Sequence, residues 1–255
     1  ADHYRTRPVA ELDPIFERLF TKILSPWYGQ ARAQPVALFD DNSPLHLFTT
    51  LLDDSEKLTG FGPGPQTIPC EPLGVELPNP WRMLNTLYRE RVAWTRPWFS
   101  SITHGDLNMK NILLDEKENL YVIDFSETRP RNVCSDFARL ETIVKFEMIK
   151  PEDEEELARL LRFEEALLRV DQTSDMPPLV YDGTNPMVAK AHHTLCLLRR
   201  LACGFTSGRA DLLPYLVALL EWTFPVPFFV QLSTLQKRFG FYSAALIARR
   251  MMELL

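Results

Sequence analysis

Apolar residues recur at helical spacing along the first part of the chain. They form one stripe of Leu12, Ile15, Phe16, Leu19, Phe20, Ile23 and Leu24. Asp13 and Pro14 lie at the start of this stripe; Asp is a common helix cap, and Pro fits the first helical position. A helix is therefore predicted to begin at Pro14, with Asp13 as its N-cap. Ser43 and Pro44 repeat the signal before a second apolar stripe, and residues 81–94 form a third helical candidate.

The pattern changes between residues 101 and 125. Residues 101–103 predict a strand, a polar loop follows, and two short apolar runs at 112–114 and 120–123 come after the loop. Short apolar runs bounded by turn residues are typical of strands. The pattern therefore predicts a strand, a polar loop and a small β-hairpin whose second strand ends at Asp124.

From residue 136 onward the pattern is almost wholly helical. Candidate helices cover residues 136–146, 152–169, 186–205, 210–222 and 233–254. The acidic run at 152–156 begins the second of them, where negative charge complements the helix dipole. A loop of turn-forming residues at 171–186 either borders a substrate cleft or simply connects two helices. Together these elements predict an α+β fold that is predominantly helical.

Composition indicates one large globular domain, or a domain with an appendage. The chain has 255 residues, of which 45% are hydrophobic, and this is ample for a buried core. Its net charge of −6 lacks the basic footprint that nonspecific nucleic-acid binding needs. No run approaches the roughly 20 apolar residues of a membrane span, and no signal peptide is evident. We therefore expect a cytoplasmic protein with neither nucleic-acid nor membrane partners.

The four cysteines show no CxxC pair, so we expect reduced, buried thiols. His192 and His193 lie near Cys196 and Cys203, which would suit zinc. The leucines between and around them indicate a mostly buried helix instead.

Three polar side chains carry the candidate chemistry: Asp106 and Asn111 in the loop, and Asp124 at the end of the hairpin. Phosphoryl transfer from a nucleotide requires a carboxylate that orients the hydroxyl and oxygen ligands that hold a divalent metal. Asp106 is either an ordinary loop aspartate or the base that accepts the hydroxyl proton. Asn111 caps the turn into its strand or binds Mg²⁺. Asp124 ends an apolar run, where a carboxylate is costly unless it binds something.

The segment from His104 to Asn111 reads His-Gly-Asp-Leu-Asn-Met-Lys-Asn and resembles the catalytic loop of the protein-kinase-like superfamily. The glycine at the second position of this motif, Gly105, resembles the aminoglycoside and choline phosphotransferase branch, since protein kinases usually have arginine there. Residues 123–126 resemble the metal-binding motif that follows, and residues 135–139 resemble the branch's Asp-x-Ala turn. The three motifs occur in the family's order, and the fold they imply is a kinase-like carboxy-terminal lobe whose small β-hairpin carries the catalytic and metal motifs.

The resemblance implies a role for each motif residue. Asp106 would be the catalytic base, and Asn111 and Asp124 would hold Mg²⁺. His104 and Gly105 would be structural. Asp136 would hydrogen-bond the backbone of the catalytic loop, although it would also suit a helix N-cap.

Basic residues near the motifs are candidates for phosphate contacts. Lys110 follows Asp106 closely, and Arg129 and Arg131 follow the metal motif. Arginine offers bidentate donors to phosphate. The alternative for both arginines is a charge exposed on a surface loop.

The resemblance has one large gap, because the amino-terminal lobe of a complete kinase-like enzyme has no match before residue 101. The glycine-rich run at 60–65 contains two prolines and no flanking strands are predicted, so it is expected to be a surface loop. We interpret the chain as a carboxy-terminal lobe that begins near the interlobe hinge. Its parts are a helical segment at 1–100, the catalytic loop, hairpin and metal motif at 101–150, and a helical remainder at 151–255.

The expected function is Mg²⁺-dependent transfer of phosphate from ATP or GTP to a hydroxyl of a small molecule. An amino-terminal lobe or neighbouring domain would cover the nucleotide, so the isolated chain is expected to be nearly inactive. The alternative is a kinase-like binding or regulatory module within a larger bacterial multidomain defence or signalling protein. Nucleotidyl transfer is a third possibility.

Overall fold

The computed structural model describes residues 2–255 and has an α+β fold with 53% helix and 14% strand. The predicted fold class, α+β and predominantly helical, is confirmed at this level. A cluster of buried apolar side chains extends from Tyr4 to Met251. The helical segment, the hairpin region and the helical remainder therefore pack around the same core.

The first part of the chain is mostly short helices. They are α1 (Asp2–Thr6), α2 (Val9–Arg18), α3 (Ser25–Tyr28), α4 (Leu38–Asp41), α5 (Ser55–Thr59), α6 (Pro80–Met83) and α7 (Arg89–Arg91). A π-helical turn, Leu19–Ile23, extends α2, and a second one, Leu84–Tyr88, joins α6 to α7. The third predicted helix is thus present, although it ends before Trp94.

The predicted start of the first long helix was wrong. Helix α2 begins at Val9 after Pro8, and Pro14 lies inside it. Proline removes one backbone hydrogen bond there. Asp13 does not cap the helix; its carboxylate accepts from His193 Nε2 at 2.7 Å.

The second predicted helix was also wrong. Ser43 makes no capping hydrogen bond, and Pro44–His46 forms one 3₁₀ turn followed by irregular turns. The backbone before it is held by long-range contacts, because Arg131 donates to the Asp41 carbonyl oxygen at 2.9 Å. Such contacts override a local propensity.

The strands form three small antiparallel sheets. They are β1 (Arg32–Ala37), β2 (Thr67–Cys70), β3 (Val75–Pro78), β4 (Thr95–Thr103), β5 (Ile112–Leu114), β6 (Leu120–Val122) and β7 (Arg129–Asn132). Strand β4 lies between β1 and β7, and β2–β3 and β5–β6 are hairpins. The predicted strand and hairpin are confirmed, with β6 ending at Val122 rather than at Asp124.

Strands β1, β2, β3 and β7 were not predicted. The absence of strands near the glycine-rich run was therefore wrong. Each of the four contains a proline, which lowers the strand signal but is tolerated on edge strands. In β1, Pro35 lies opposite Pro97 of β4. Residues 60–65 themselves form a loop, whose Gly62 and Pro65 carbonyl oxygens accept from the Asn79 amide.

The five helices predicted after residue 135 are all present. They are α8 (Ser135–Ile143), α9 (Glu154–Leu168), α10 (Pro186–Gly204), α11 (Leu212–Thr223) and α12 (Thr234–Leu254). A π-helical turn, Val144–Met148, extends α8. Side-chain caps begin the last four helices: Asp153, Asn185, Asp211 and Ser233. The strong boundary signals explain why sequence and structure agree here.

A buried ionic network ties four of these helices together. Glu141 on α8 accepts from Arg199 Nε at 2.9 Å and from Tyr215 Oη at 2.8 Å. Lys145 contacts Glu141 at 3.3 Å and Glu164 at 2.8 Å. Burial would raise the pKa of Glu141, but the charges of Arg199 and Lys145 lower it to about 2. The network fixes α8, the helix that anchors the candidate site.

All four cysteines are buried and free, as predicted. His192 Nε2 lies 2.8 Å from the Pro177 carbonyl oxygen. Within residues 2–255, no group of three His, Cys, Asp or Glu side chains is arranged to hold a metal. Over the same residues, no helix has the length and apolar character needed to cross a membrane.

Candidate functional site

A buried carboxylate on α8 anchors the polar loop. Asp136 is fully buried, and it accepts from the backbone N–H of His104 at 2.7 Å and of Gly105 at 3.0 Å. Asp136 lies in the first turn of α8 but does not cap it. The loop backbone therefore takes its position from the helix, and this is the contact that the resemblance implies for Asp136.

Tyr28 of α3 provides a third donor to the same carboxylate. Its hydroxyl donates to Asp136 Oδ2. Burial, reinforced by the charge of Asp136, raises the pKa of Tyr28 well above its ordinary value, so the hydroxyl keeps its proton. Next to it, the Ser101 hydroxyl donates to the Trp27 carbonyl oxygen at 2.7 Å. Helix α3 thus contacts both Asp136, which anchors the loop, and strand β4, from which the loop extends.

His104 and Gly105 shape the start of the loop. His104 is buried, and its ring Nε2 lies 2.8 Å from the Ile123 carbonyl oxygen while Nδ1 accepts from the Asp106 N–H at 3.4 Å. Gly105 has φ +87°, and a Cβ there would lie 2.2 Å from the Glu127 carbonyl oxygen. Only glycine combines this conformation with such a close approach. Both residues link the loop to the segment after the hairpin.

Asp106 projects from the loop with its side chain 36% exposed. Its Oδ1 accepts from Arg139 Nε at 3.0 Å, and its Oδ2 accepts from the Asn108 amide at 3.1 Å. Two donors thus fix the carboxylate while part of it stays open to solvent. A carboxylate oxygen has two lone pairs, so each oxygen can still accept a further hydrogen bond.

Asn111 connects the loop with the hairpin. Its side-chain amide donates to the backbone carbonyl oxygen of Asp106 at 3.0 Å. The backbone carbonyl oxygen of Asn111 accepts from the Ile123 N–H at 3.0 Å. Asp124 follows directly, exposed, with φ +64°. A positive φ is unusual for a residue other than glycine and is often found at functional sites. The Ser126 hydroxyl donates to one Asp124 oxygen at 3.0 Å.

One face of the hairpin is apolar and open. Leu113 and Tyr121 lie opposite each other across β5 and β6 and are 43% and 51% exposed. Ile123 and Phe125, on either side of Asp124, are also exposed. The Phe125 ring packs near the His104 ring. An exposed apolar face of this kind is a candidate contact surface for a ligand or a neighbouring domain.

The basic residues have different positions. Lys110 is exposed at the loop, and Arg129 is exposed on edge strand β7 opposite Thr103. Arg131 is neither a phosphate contact nor an exposed loop charge, because it is 2% exposed and paired with Glu221. Burial raises the pKa of Glu221 to about 7, while Arg131 opposes that effect. Arg131 therefore belongs to the core.

Three residues of the site were not predicted: Tyr28, Asn108 and Arg139. A usable signal existed for Arg139, which follows Asp136 by three positions and so lies on the same face of a helix. Tyr28 is too distant in sequence for any local pattern to connect it with the loop. Its role depends on how α3 packs.

The fold and the site define an α+β protein whose polar loop is anchored to a buried carboxylate beside a small hairpin. The chain belongs to the family described as Ternary complex associated domain 9, which matches residues 68–220. That range includes the loop, the hairpin and helices α8 to α10, whereas Tyr28 lies outside it. No curated protein and no solved structure matches the chain.

Proposed function

We propose that this chain is a kinase-like lobe that transfers the γ-phosphate of ATP or GTP to a hydroxyl group of a small molecule. The supporting observation is the closed loop between Asp106 and Asn111, in which the Asn111 amide donates to the Asp106 carbonyl oxygen. Asp136 anchors the start of this loop. A fixed carboxylate next to an amide oxygen is what phosphoryl transfer needs, because that reaction depends on positioning.

In the proposed reaction, the substrate hydroxyl oxygen attacks the γ-phosphorus. The bond from that phosphorus to the bridging oxygen breaks, and the nucleoside diphosphate leaves. Asp106 accepts the hydroxyl proton. Its partly exposed carboxylate supports this role, since a substrate hydroxyl can reach it from solvent.

Asn111 and Asp124 are the proposed holders of Mg²⁺. The Asn111 Oδ1 and one Asp124 oxygen accept no hydrogen bond from any residue among 2–255, and Mg²⁺ prefers hard oxygen ligands. The oxygen donors present are therefore of the chemical type that fits the ion. When bound, Mg²⁺ would neutralise charge on the nucleotide phosphates, and we propose Lys110 and Arg129 as further phosphate contacts.

The exposed face of the hairpin is proposed to receive the nucleotide base. Leu113, Tyr121 and Ile123 form an apolar surface next to Asp124. A base stacked there would lie beside Asp124, which follows the hairpin in the chain. Because this surface is open on one side, we propose that an amino-terminal lobe or a neighbouring domain covers the nucleotide, and that the 255 residues alone have negligible turnover.

The second candidate function is a binding or regulatory module in a larger multidomain protein. The family description, which names association with a ternary complex, favours it. In this case the hairpin face would contact a neighbouring domain and no nucleotide would bind. The two candidates differ in one measurable property, which is binding of nucleotide with Mg²⁺.

Calorimetric titration of the intact protein, including the lobe or domain proposed to cover the nucleotide, with Mg²⁺–ATP and Mg²⁺–GTP tests the proposal. The enzyme proposal expects binding that weakens by at least about tenfold in Asp124→Ala, since even residues that only support metal ligands have effects of this size. Glu116→Ala is the matched control, because it removes an exposed charge from the turn of the same hairpin. No binding by the wild type would favour the module. Equal binding by wild type and Asp124→Ala would refute the metal role of Asp124.

A further inference from the structure

Arg139 is the residue of α8 that reaches the Asp106 side chain. Asp136 and Arg139 lie three positions apart on this helix and so face the same way. Asp136 holds the backbone of the loop, whereas Arg139 Nε donates to Asp106 Oδ1 at 3.0 Å. One helix thus positions both the main chain and the carboxylate of the candidate base.

The Arg139 side chain is itself held in place. It is only 11% exposed, and its guanidinium lies over the ring of Trp222 on α11, 4.6 Å from the ring centre. Trp222 is buried. An arginine stacked on an aromatic ring loses little further freedom when it donates a hydrogen bond. Its geometry therefore depends on α11 and does not require Asp106 to be present.

The buried position of Arg139 also carries a cost for the stability of the fold. Its Nη1 is buried and has no hydrogen-bond partner among residues 2–255, and a buried donor without a partner costs free energy. Another nitrogen of the guanidinium, Nε, does have a partner, because it donates to the Asp106 carboxylate. Asn108 holds the second carboxylate oxygen at 3.1 Å, so rotation of the Asp106 carboxylate is restricted from both sides.

We propose that Arg139, supported by Trp222, is a positioning residue that fixes the direction of the Asp106 carboxylate toward the substrate hydroxyl. This inference rests on the proposed phosphotransferase function. Arg139 needs no contact with the nucleotide for this role. Its loss should therefore lower kcat by up to roughly 100-fold, which is the cost of a small misplacement of a catalytic group. The nucleotide KM should stay unchanged.

The contact is tested first, without any need for activity. Hydrogen exchange of arginine Nε–H groups is measured by NMR on the 255-residue chain, with the exposed Arg162 as reference. We expect the Arg139 Nε–H to exchange at least about tenfold more slowly than that of Arg162, and the protection to fall in Asp106→Ala. Exchange as fast as that of Arg162 would overturn the proposal.

Kinetics of the intact protein test the role. Arg139→Gln should lower kcat with an unchanged nucleotide KM, and Arg139→Lys should restore part of it, because lysine keeps a charged donor but not the planar stack. Arg162→Gln is the matched control and should behave as wild type. Wild-type kcat in a folded Arg139→Gln variant would overturn the inference. If the wild type itself has no turnover, the proposed function fails, and the exchange measurement alone decides whether Arg139 holds Asp106.

Discussion

Asp136 accepts more of the hydrogen bonds that position the loop than any other side chain of the site. Its two oxygens accept from His104 N–H, Gly105 N–H and the Tyr28 hydroxyl, all within the protein interior. An ionised acceptor is well suited to several donors, because charge-assisted hydrogen bonds are stronger than neutral ones. A neutral amide of the same size cannot replace it, since half of that amide is a donor.

Asp136→Asn should therefore destabilise the protein by roughly 2–4 kcal/mol, because one amide N–H would face a backbone donor in the interior. Urea unfolding followed by circular dichroism measures the change. Asp53→Asn, at an exposed position, is the control and should have little effect. Equal midpoints for the two variants would contradict the anchoring role of Asp136.

Gly105 is the second residue whose identity follows from its position. Gly105→Ala should cost more than Gly74→Ala, since both have positive φ but only Gly105 would place its Cβ against a backbone oxygen. Positive φ alone costs roughly 1–2 kcal/mol for alanine. Chemical denaturation of both variants gives the difference, which reports the close approach to Glu127. If Gly74→Ala were the more damaging change, the close approach would be irrelevant.

At the scale of elements, α3 and α8 hold the loop between them. Helix α3 contributes the Tyr28 hydroxyl and contacts β4 through the Trp27 carbonyl oxygen, and α8 contributes Asp136 and Arg139. The residues matched by the family, 68–220, contain α8 but not α3. The site of this chain therefore depends on residues outside the matched range.

Tyr28→Phe removes one of the three donors to Asp136 and should destabilise the protein by about 1–2 kcal/mol. Tyr88→Phe is a closely matched control, because the Tyr88 hydroxyl is buried without a hydrogen-bond partner in residues 2–255. Removing that hydroxyl should be neutral or stabilising. Thermal melts of the two variants side by side provide the test, and a Tyr28→Phe protein as stable as wild type would remove α3 from the site.

At the scale of the whole molecule, buried charges connect the helical remainder. Four charged side chains are almost fully buried and form ion pairs with one another: Glu141, Lys145, Glu164 and Arg199. Removing one partner of such a group leaves an uncompensated buried charge, which is strongly destabilising. The network also makes stability depend on pH, because the pKa of Glu141 is lowered in the folded state.

The folded-state pKa of Glu141 is about 2, below its ordinary value of 4.5. The stability it contributes is therefore complete above pH 4.5 and lost as the pH falls from 4.5 toward 2. Glu141→Gln should be less stable than wild type at neutral pH and should lose less further stability across that acid range. Urea midpoints measured from pH 2 to pH 7 test this. The exposed Glu155→Gln variant is the control and should follow the wild-type profile; a Glu141→Gln profile parallel to wild type would disprove the assignment.

Local sequence was sufficient for much of this protein. The helices after residue 135 have clear caps at Asp153, Asn185, Asp211 and Ser233, and the hairpin before Asp124 has a clear apolar pattern. In each case the information lies within a few residues of the element. The polar loop with Asp106 and Asn111 was visible for the same reason.

Tertiary structure decided the rest. The start of α2 and the irregular turns after Ser43 contradict their local signals because distant contacts, such as Asp13 with His193, outweigh propensity. Strand β1 pairs with β4 in a register that places Arg32 opposite Ser100 and Ala37 opposite Thr95. No local pattern encodes this pairing, because the partners are distant in the sequence. The same holds for Tyr28 on Asp136 and for Trp222 beneath Arg139. Chemistry-bearing residue types can be found in a sequence, but the contacts that orient them arise only when distant elements pack together.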